Sequence, residues 1–116
     1  MEVRIVKKPI TIDELKHIAQ EGYVDLVKVV VDIEQGIMAM GGELHADEEV
    51  SLMEREGSKR EHTWGINLYP EKSGDEFIEF DSMINLKPAF GNRSRGVESS
   101  EVQAKIKAIV EKLIQQ

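Results

Sequence analysis

The sequence predicts an α+β fold. One two-layer domain holds about five strands in a mixed, mostly antiparallel sheet, packed with three helices in the order β-α-β-β-α-β-β-α. Three observations lead there. Short runs of alternating apolar residues recur along the chain, punctuated by Gly, Pro and Asp, as strands are. Three other stretches repeat apolar residues every three or four positions and open on capping signals, as amphipathic helices do. The chain has 116 residues with 41% apolar side chains, the size and composition of one globular domain over residues 1–116.

The elements follow in order. Glu2–Lys7 alternates and stops at Pro9. Thr11-Ile12-Asp13-Glu14 is a capping-box pattern, and Ile12, Leu15 and Ile18 continue at helical spacing until Gly22, so a helix spans 12–21. Leu26–Ile33 is a β-branched strand with Val27, Val29, Val31 and Ile33 on one face. Gln35-Gly36 turns it into a returning strand, Ile37–Met40, which Gly41-Gly42 ends. The first β-α-β step is expected to be a right-handed crossover that makes one parallel pair. Asp47 then caps a helix to Glu56, with Ala46, Val50 and Met53 as its apolar stripe and Gly57 as a left-handed C-cap. His62–Tyr69 is a strand with Trp64, Ile66 and Leu68 on one face, stopped by Pro70. After the EKSGDE turn, Glu76–Lys87 reads as one long strand with Ile78, Phe80, Ser82, Ile84 and Leu86 facing in. Ser99 or Ser100 caps the last helix, Ser100 forming a second capping box with Gln103. Val102, Ile106, Ile109, Val110 and Leu113 are that helix's apolar stripe.

The totals exclude several classes. A net charge of −7 and a pI near 5.0 argue against nucleic-acid binding, which rests on clustered Lys and Arg. Without cysteine there are no disulfides, thiolate metal sites or cysteine nucleophiles, as suits a reducing compartment. No apolar run approaches the ~18 residues needed to span a bilayer, and MEVRIVKKPI lacks a signal-peptide core. The expectation is a soluble cytoplasmic protein without a membrane partner.

Two loops carry candidate chemistry. In GGELHADEE, Glu43, His45 and Asp47 would share one side of an extended chain, where Asp32 or Glu34 could complete a mixed nitrogen and oxygen metal set. A helix starting at Asp47 removes that residue from the set and accounts for the acids by the helix dipole, so no metal or cofactor is assigned. Asp32–Glu43 has the length of a calcium loop, but Gly36 and Ile37 stand at its fifth and sixth positions, which rules out an EF-hand.

The second loop, FGNRSRGVESS, lies just before a capped helix. Lys87 to Arg95 holds three basic residues and no acid, and Asn92, Arg93, Ser94 and Arg95 are candidates to seat a small anion or phosphate. The two loops make one composite site, with Glu43 and His45, only if they meet in space. There is no P-loop, GxGxxG or HExxH, so no catalytic residue is assigned and the enzyme question stays open. Trp64, Tyr69, Phe77, Met83 and Phe90 include more apolar surface than two strand faces need, which points to a homodimer contact.

VVVDIEQGIMAMGGELHADEE, WGINLYPE, IEFDSMINLKP and GNRSRGVE together resemble a small prokaryotic family catalogued only as a domain of unknown function. The resemblance covers most of residues 24–110. It implies a cytosolic, prokaryotic, single-domain protein and lends no functional residue. The reading is therefore a small, non-enzymatic binding or interaction domain that self-associates. The alternative is a small-anion or phosphate site built from residues 41–47 and 91–95.

Overall fold

The computed structural model describes residues 2–116. Its strands are β1 (Arg4–Val6), β2 (Ile10–Thr11), β3 (Val27–Asp32), β4 (Ile37–Met40), β5 (Thr63–Leu68), β6 (Ile78–Glu79) and β7 (Ile114–Gln115). Among the described residues the α-helices are α1 (Ile12–Glu21), α2 (His45–Glu56) and α3 (Ser100–Leu113). The α+β class, the five-stranded sheet and the three helices are as the sequence predicts.

The sheet order is β1-β4-β3-β5-β6 and every neighbouring pair is antiparallel. The expected parallel pair between the strands flanking α1 does not form. Asp32 holds the β3–β4 turn tight: its carboxylate accepts the Glu34 and Gln35 backbone N–H groups at 2.9 and 3.1 Å. The returning strand β4 therefore lies directly on β3, and β1 pairs with its outer edge. The parallel pairing in the chain is a separate bridge of two short strands, β2 with β7, which ties residues 10–11 to residues 114–115.

The layering also differs from the two-layer expectation, because helices cover both faces. On one side, Val27, Val29 and Val31 of β3 with Trp64, Ile66 and Leu68 of β5 pack against Leu15 and Ala19 of α1 and Ile106 and Val110 of α3. On the other, Val30 and Ala39 pack against Leu52 of α2 and against Ile84. The strand period of two sends alternate residues to the two cores.

The long strand expected over Glu76–Lys87 stops at Glu79. A Cβ on Gly65 of β5 would sit 2.5 Å from Ser82 Cβ and Oγ, so the Ser82 side chain occupies space over the strand that only glycine leaves. Beyond it the chain turns through a 3-10 segment at Met83–Asn85. The Asn85 carboxamide then replaces the missing strand: its Oδ1 accepts the Gly65 N–H at 2.8 Å and its Nδ2 donates to the Gly65 carbonyl at 3.0 Å. Phe77, counted from the sequence among the surplus apolar residues, is buried in the main core.

Local signals near the helix ends mostly hold. Thr11 and Glu14 form the capping box of α1, and Gly57 ends α2 with φ 69°. For α3 the cap is Ser99, whose side chain accepts the Val102 N–H. The predicted Ser100–Gln103 box is absent because the Gln103 Nε2 donates instead to the Val97 carbonyl at 2.7 Å.

Candidate functional site

Helix α2 begins at His45, and its N-cap is Leu44 rather than the expected Asp47, three residues earlier and without a side-chain bond. This start fixes which face meets the sheet. His45, Glu48, Glu49 and Leu52 are buried, while Ala46, Val50 and Met53 are exposed. The apolar stripe expected to pack inward thus faces solvent. The sheet beneath explains the inversion: Lys28 and Asp32 of β3 and Thr63, Gly65 and Asn67 of β5 point to the α2 side, opposite the main core. Polar helix residues find hydrogen-bond partners there that Val50 and Met53 cannot use.

Three stations fill the space between α2 and the sheet. At the first, His45 Nε2 donates to the Ile66 carbonyl at 2.8 Å. Burial lowers the pKa of this imidazole, the carbonyl opposes that shift, and Lys28, Asp81 and Arg95 lie near enough to act on it by charge. Around it, Asn67 Nδ2 donates to Glu79 Oε1 at 2.8 Å, and Arg95 Nε pairs with Asp81 Oδ1 at 2.7 Å.

Glu48 makes the second station. It is fully buried, and its Oε2 accepts the Gly42 N–H at 2.9 Å. A Cβ on Gly42 would fall 3.0 Å from Glu48 Cγ and 3.1 Å from Val3 Cγ2, so this glycine is the gap the glutamate fills. Oε1 has no partner among the described residues. Burial holds the Glu48 pKa well above the usual carboxylate range.

At the third, Glu49 Oε2 accepts Arg60 Nη1 at 2.9 Å and the Thr63 hydroxyl. Arg60 continues to the Leu86 carbonyl, and Lys87 Nζ donates to the Arg60 and Thr63 carbonyls while lying 4.2 Å from the Trp64 ring centroid. Lys87 is itself buried, and burial together with the nearby Arg60 pushes its pKa down to about 8. This lysine, counted as part of a basic surface patch from the sequence, is an internal strut.

The 91–98 loop is organised from within. Buried Asn92 donates through Nδ2 to the carbonyls of Asn85, Ser94 and Gly96, and its Oδ1 accepts the Glu98 N–H. The Arg93 N–H donates to Glu98 Oε2 at 2.8 Å, so the chain's own carboxylate sits where an anion would be held. Ser94 Oγ accepts the Gly96 N–H. Of the six residues proposed from sequence, the fold brings His45 and Arg95 into electrostatic range of each other. Glu43 is exposed and engages through its carbonyl, which accepts the Tyr23 hydroxyl. Asp47 is exposed and helical, so Glu43, His45 and Asp47 do not share a side. Among the described residues no group of three or more His, Asp or Glu side chains is arranged to hold a metal ion.

Two clefts lie elsewhere. One of about 570 Å³ opens along β1 and is lined by Arg4, Ile18, Glu21, Gly41 and Arg55. Another of about 890 Å³ lies between β6 and α3, over Ile78, Phe80, Val110 and Ile114. Neither includes any of the six residues.

Sequence reasoning missed Glu48, Asn85 and Lys28. One signal was available for Glu48. Gly42 needs no positive φ, so its lack of a side chain has to serve a close approach by a neighbour.

A family model described as a protein of unknown function, DUF5674, matches residues 4–113. The chain belongs to the DUF5674 family. That match extends the resemblance read from residues 24–110 to nearly the whole domain, so β1, the inverted α2 and α3 all lie within the family's span. No curated protein and no solved structure matches the chain. Among the described residues no helix is long and apolar enough to cross a membrane.

Proposed function

We propose that this DUF5674 protein is a self-associating interaction domain whose contact surface is the outer face of α2. The observation that carries the reading is the inversion of that helix. It buries His45, Glu48 and Glu49 and leaves Ala46, Val50 and Met53 outside, with Leu44 exposed just before them. The Met83–Asn85 turn packs beside α2, and Met83 (62% exposed) and Phe90 (53%) extend the apolar surface on that segment. Exposed apolar side chains gathered on neighbouring elements mark contact sites, and Met and aromatic residues are enriched in them.

Charge favours a second copy as the occupant. The α2 stripe is bordered by the exposed acids Asp47 and Glu54, whereas the segment carrying Met83 and Phe90 leads to Arg93, which has no ion-pair partner among the described residues. A two-fold pair that sets α2 of one copy on the 83–93 segment of its mate matches acid to base twice, as an isologous contact does. The absence of cysteine suits such a domain in a reducing cytosol.

The small-anion alternative draws its support from the charges around His45, but Glu98 already receives the Arg93 N–H and Asn92 is spent inside its loop. It is the second reading. Light scattering and sedimentation on the wild type and on a Val50→Glu, Met53→Glu variant test the first. A dimer that becomes a monomer of unchanged circular dichroism is expected. A wild type that stays monomeric at millimolar concentration overturns the reading.

A further inference from the structure

The Glu48 carboxyl is a fully buried acid with no ion pair among the described residues. One oxygen takes the Gly42 N–H and the other is buried without a donor among the described residues. The charged groups that bear on it are Lys28 from β3 and Asp47 on its own helix; Gly42 and Val3, which close against it from the β4 exit and the chain before β1, bring none. His45, one turn earlier, is buried beside the same strands.

An ionised carboxylate in this position has a single hydrogen bond from the described residues and is shut off from bulk solvent. Such a charge is not held in place; the group stays neutral or the structure opens to hydrate it. The Leu44 cap offers no side-chain bond, so the first turn of α2 is held to the rest of the fold by two side-chain bonds, His45 to the Ile66 carbonyl and Glu48 to the Gly42 N–H. We infer that Glu48 is a proton-operated latch: α2 stays docked while its carboxyl is protonated, and loss of that proton to solvent frees the first turn and disturbs the contact face. The second half of this inference rests on the contact-face reading above; the first half does not.

The sign follows from linkage. A carboxyl whose pKa is raised on folding stabilises the docked state fully below its unfolded pKa, about 4.3, and loses that contribution as pH rises through the folded value. The docking–opening equilibrium should therefore shift toward opening by up to tenfold per pH unit across that window, then level off. His45, whose pKa burial lowers, acts in the opposite sense: its contribution is present above about 6.5 and is lost as pH falls through its folded value. That effect is common to wild type and to Glu48→Gln, so it cancels in their comparison.

Hydrogen exchange of the α2 amides from pH 5 to 9, corrected for intrinsic chemistry, reads the opening directly. The two proteins are expected to open alike at the low end of the range, and wild type to open increasingly more than Glu48→Gln as pH rises. Identical pH dependence in the two proteins overturns the latch. NMR titration of the Glu48 carboxyl is a second readout, in which a midpoint near that of free glutamate also overturns it. Mass measured over the same pH range separates the two claims. A monomer at every pH whose exchange follows the prediction keeps the latch and removes the contact face. A dimer whose exchange has the same pH dependence in both proteins removes the latch and keeps the contact face.

Discussion

Val24 is the one non-glycine residue with a positive φ among the described residues, at 71°. It is exposed, and its N–H closes the end of α1 on the Ala19 carbonyl at 2.7 Å. A β-branched side chain gains nothing in the left-handed region, where the cost is about 1–2 kcal/mol. Val24→Gly should raise stability by roughly 1 kcal/mol in urea unfolding, less the entropy glycine adds to the unfolded chain. Gly65 is the reverse case. A methyl there meets Ser82 at 2.5 Å, so Gly65→Ala should destabilise by about 1–3 kcal/mol, and Ser82→Gly should recover much of the loss in the double variant. None of this was legible from residue type alone. Gly65 reads as a weak point in a strand, and the residue it accommodates is seventeen positions away by number.

At the scale of elements, legibility depended on how local the cause was. The Thr11–Glu14 capping box, the Gly57 left-handed cap and the Trp64, Ile66, Leu68 face were readable because neighbours within a few residues decide them. The end of the strand at Glu79 was not, since it depends on Ser82 and Asn85 reaching across to β5. Asn85→Ala would leave the Gly65 N–H and carbonyl and the Arg95 carbonyl without their partner. With buried polar groups costing about 1–3 kcal/mol each when unsatisfied, the variant should lose about 3 kcal/mol or more. Chemical denaturation with unchanged m-value checks this, and a loss under ~1 kcal/mol would mean the side chain is not the strand's substitute. The orientation of α2 was illegible for the same reason: its apolar spacing fits a buried stripe, and only the polar sheet face beneath it reverses the choice.

For the whole molecule, one unusual helix organises both the interior and the surface. Turning α2 polar side inward builds the His45, Glu48 and Glu49 stations, and the same rotation exposes Val50 and Met53. The candidate site was only half visible in the sequence. Arg95 acts on His45 through charge alone, and Asn92 and Lys87 are spent holding loops and strands. The chain contains no cysteine, so single cysteines report burial and contact without background. Thiol labelling of Met53→Cys and Leu52→Cys over a range of protein concentrations tests the inversion and the contact together. The account predicts that Leu52→Cys stays unreactive at all concentrations, while Met53→Cys reacts quickly when dilute and slows at least tenfold as the protein is concentrated. A protected Met53→Cys with a reactive Leu52→Cys in dilute solution would contradict it.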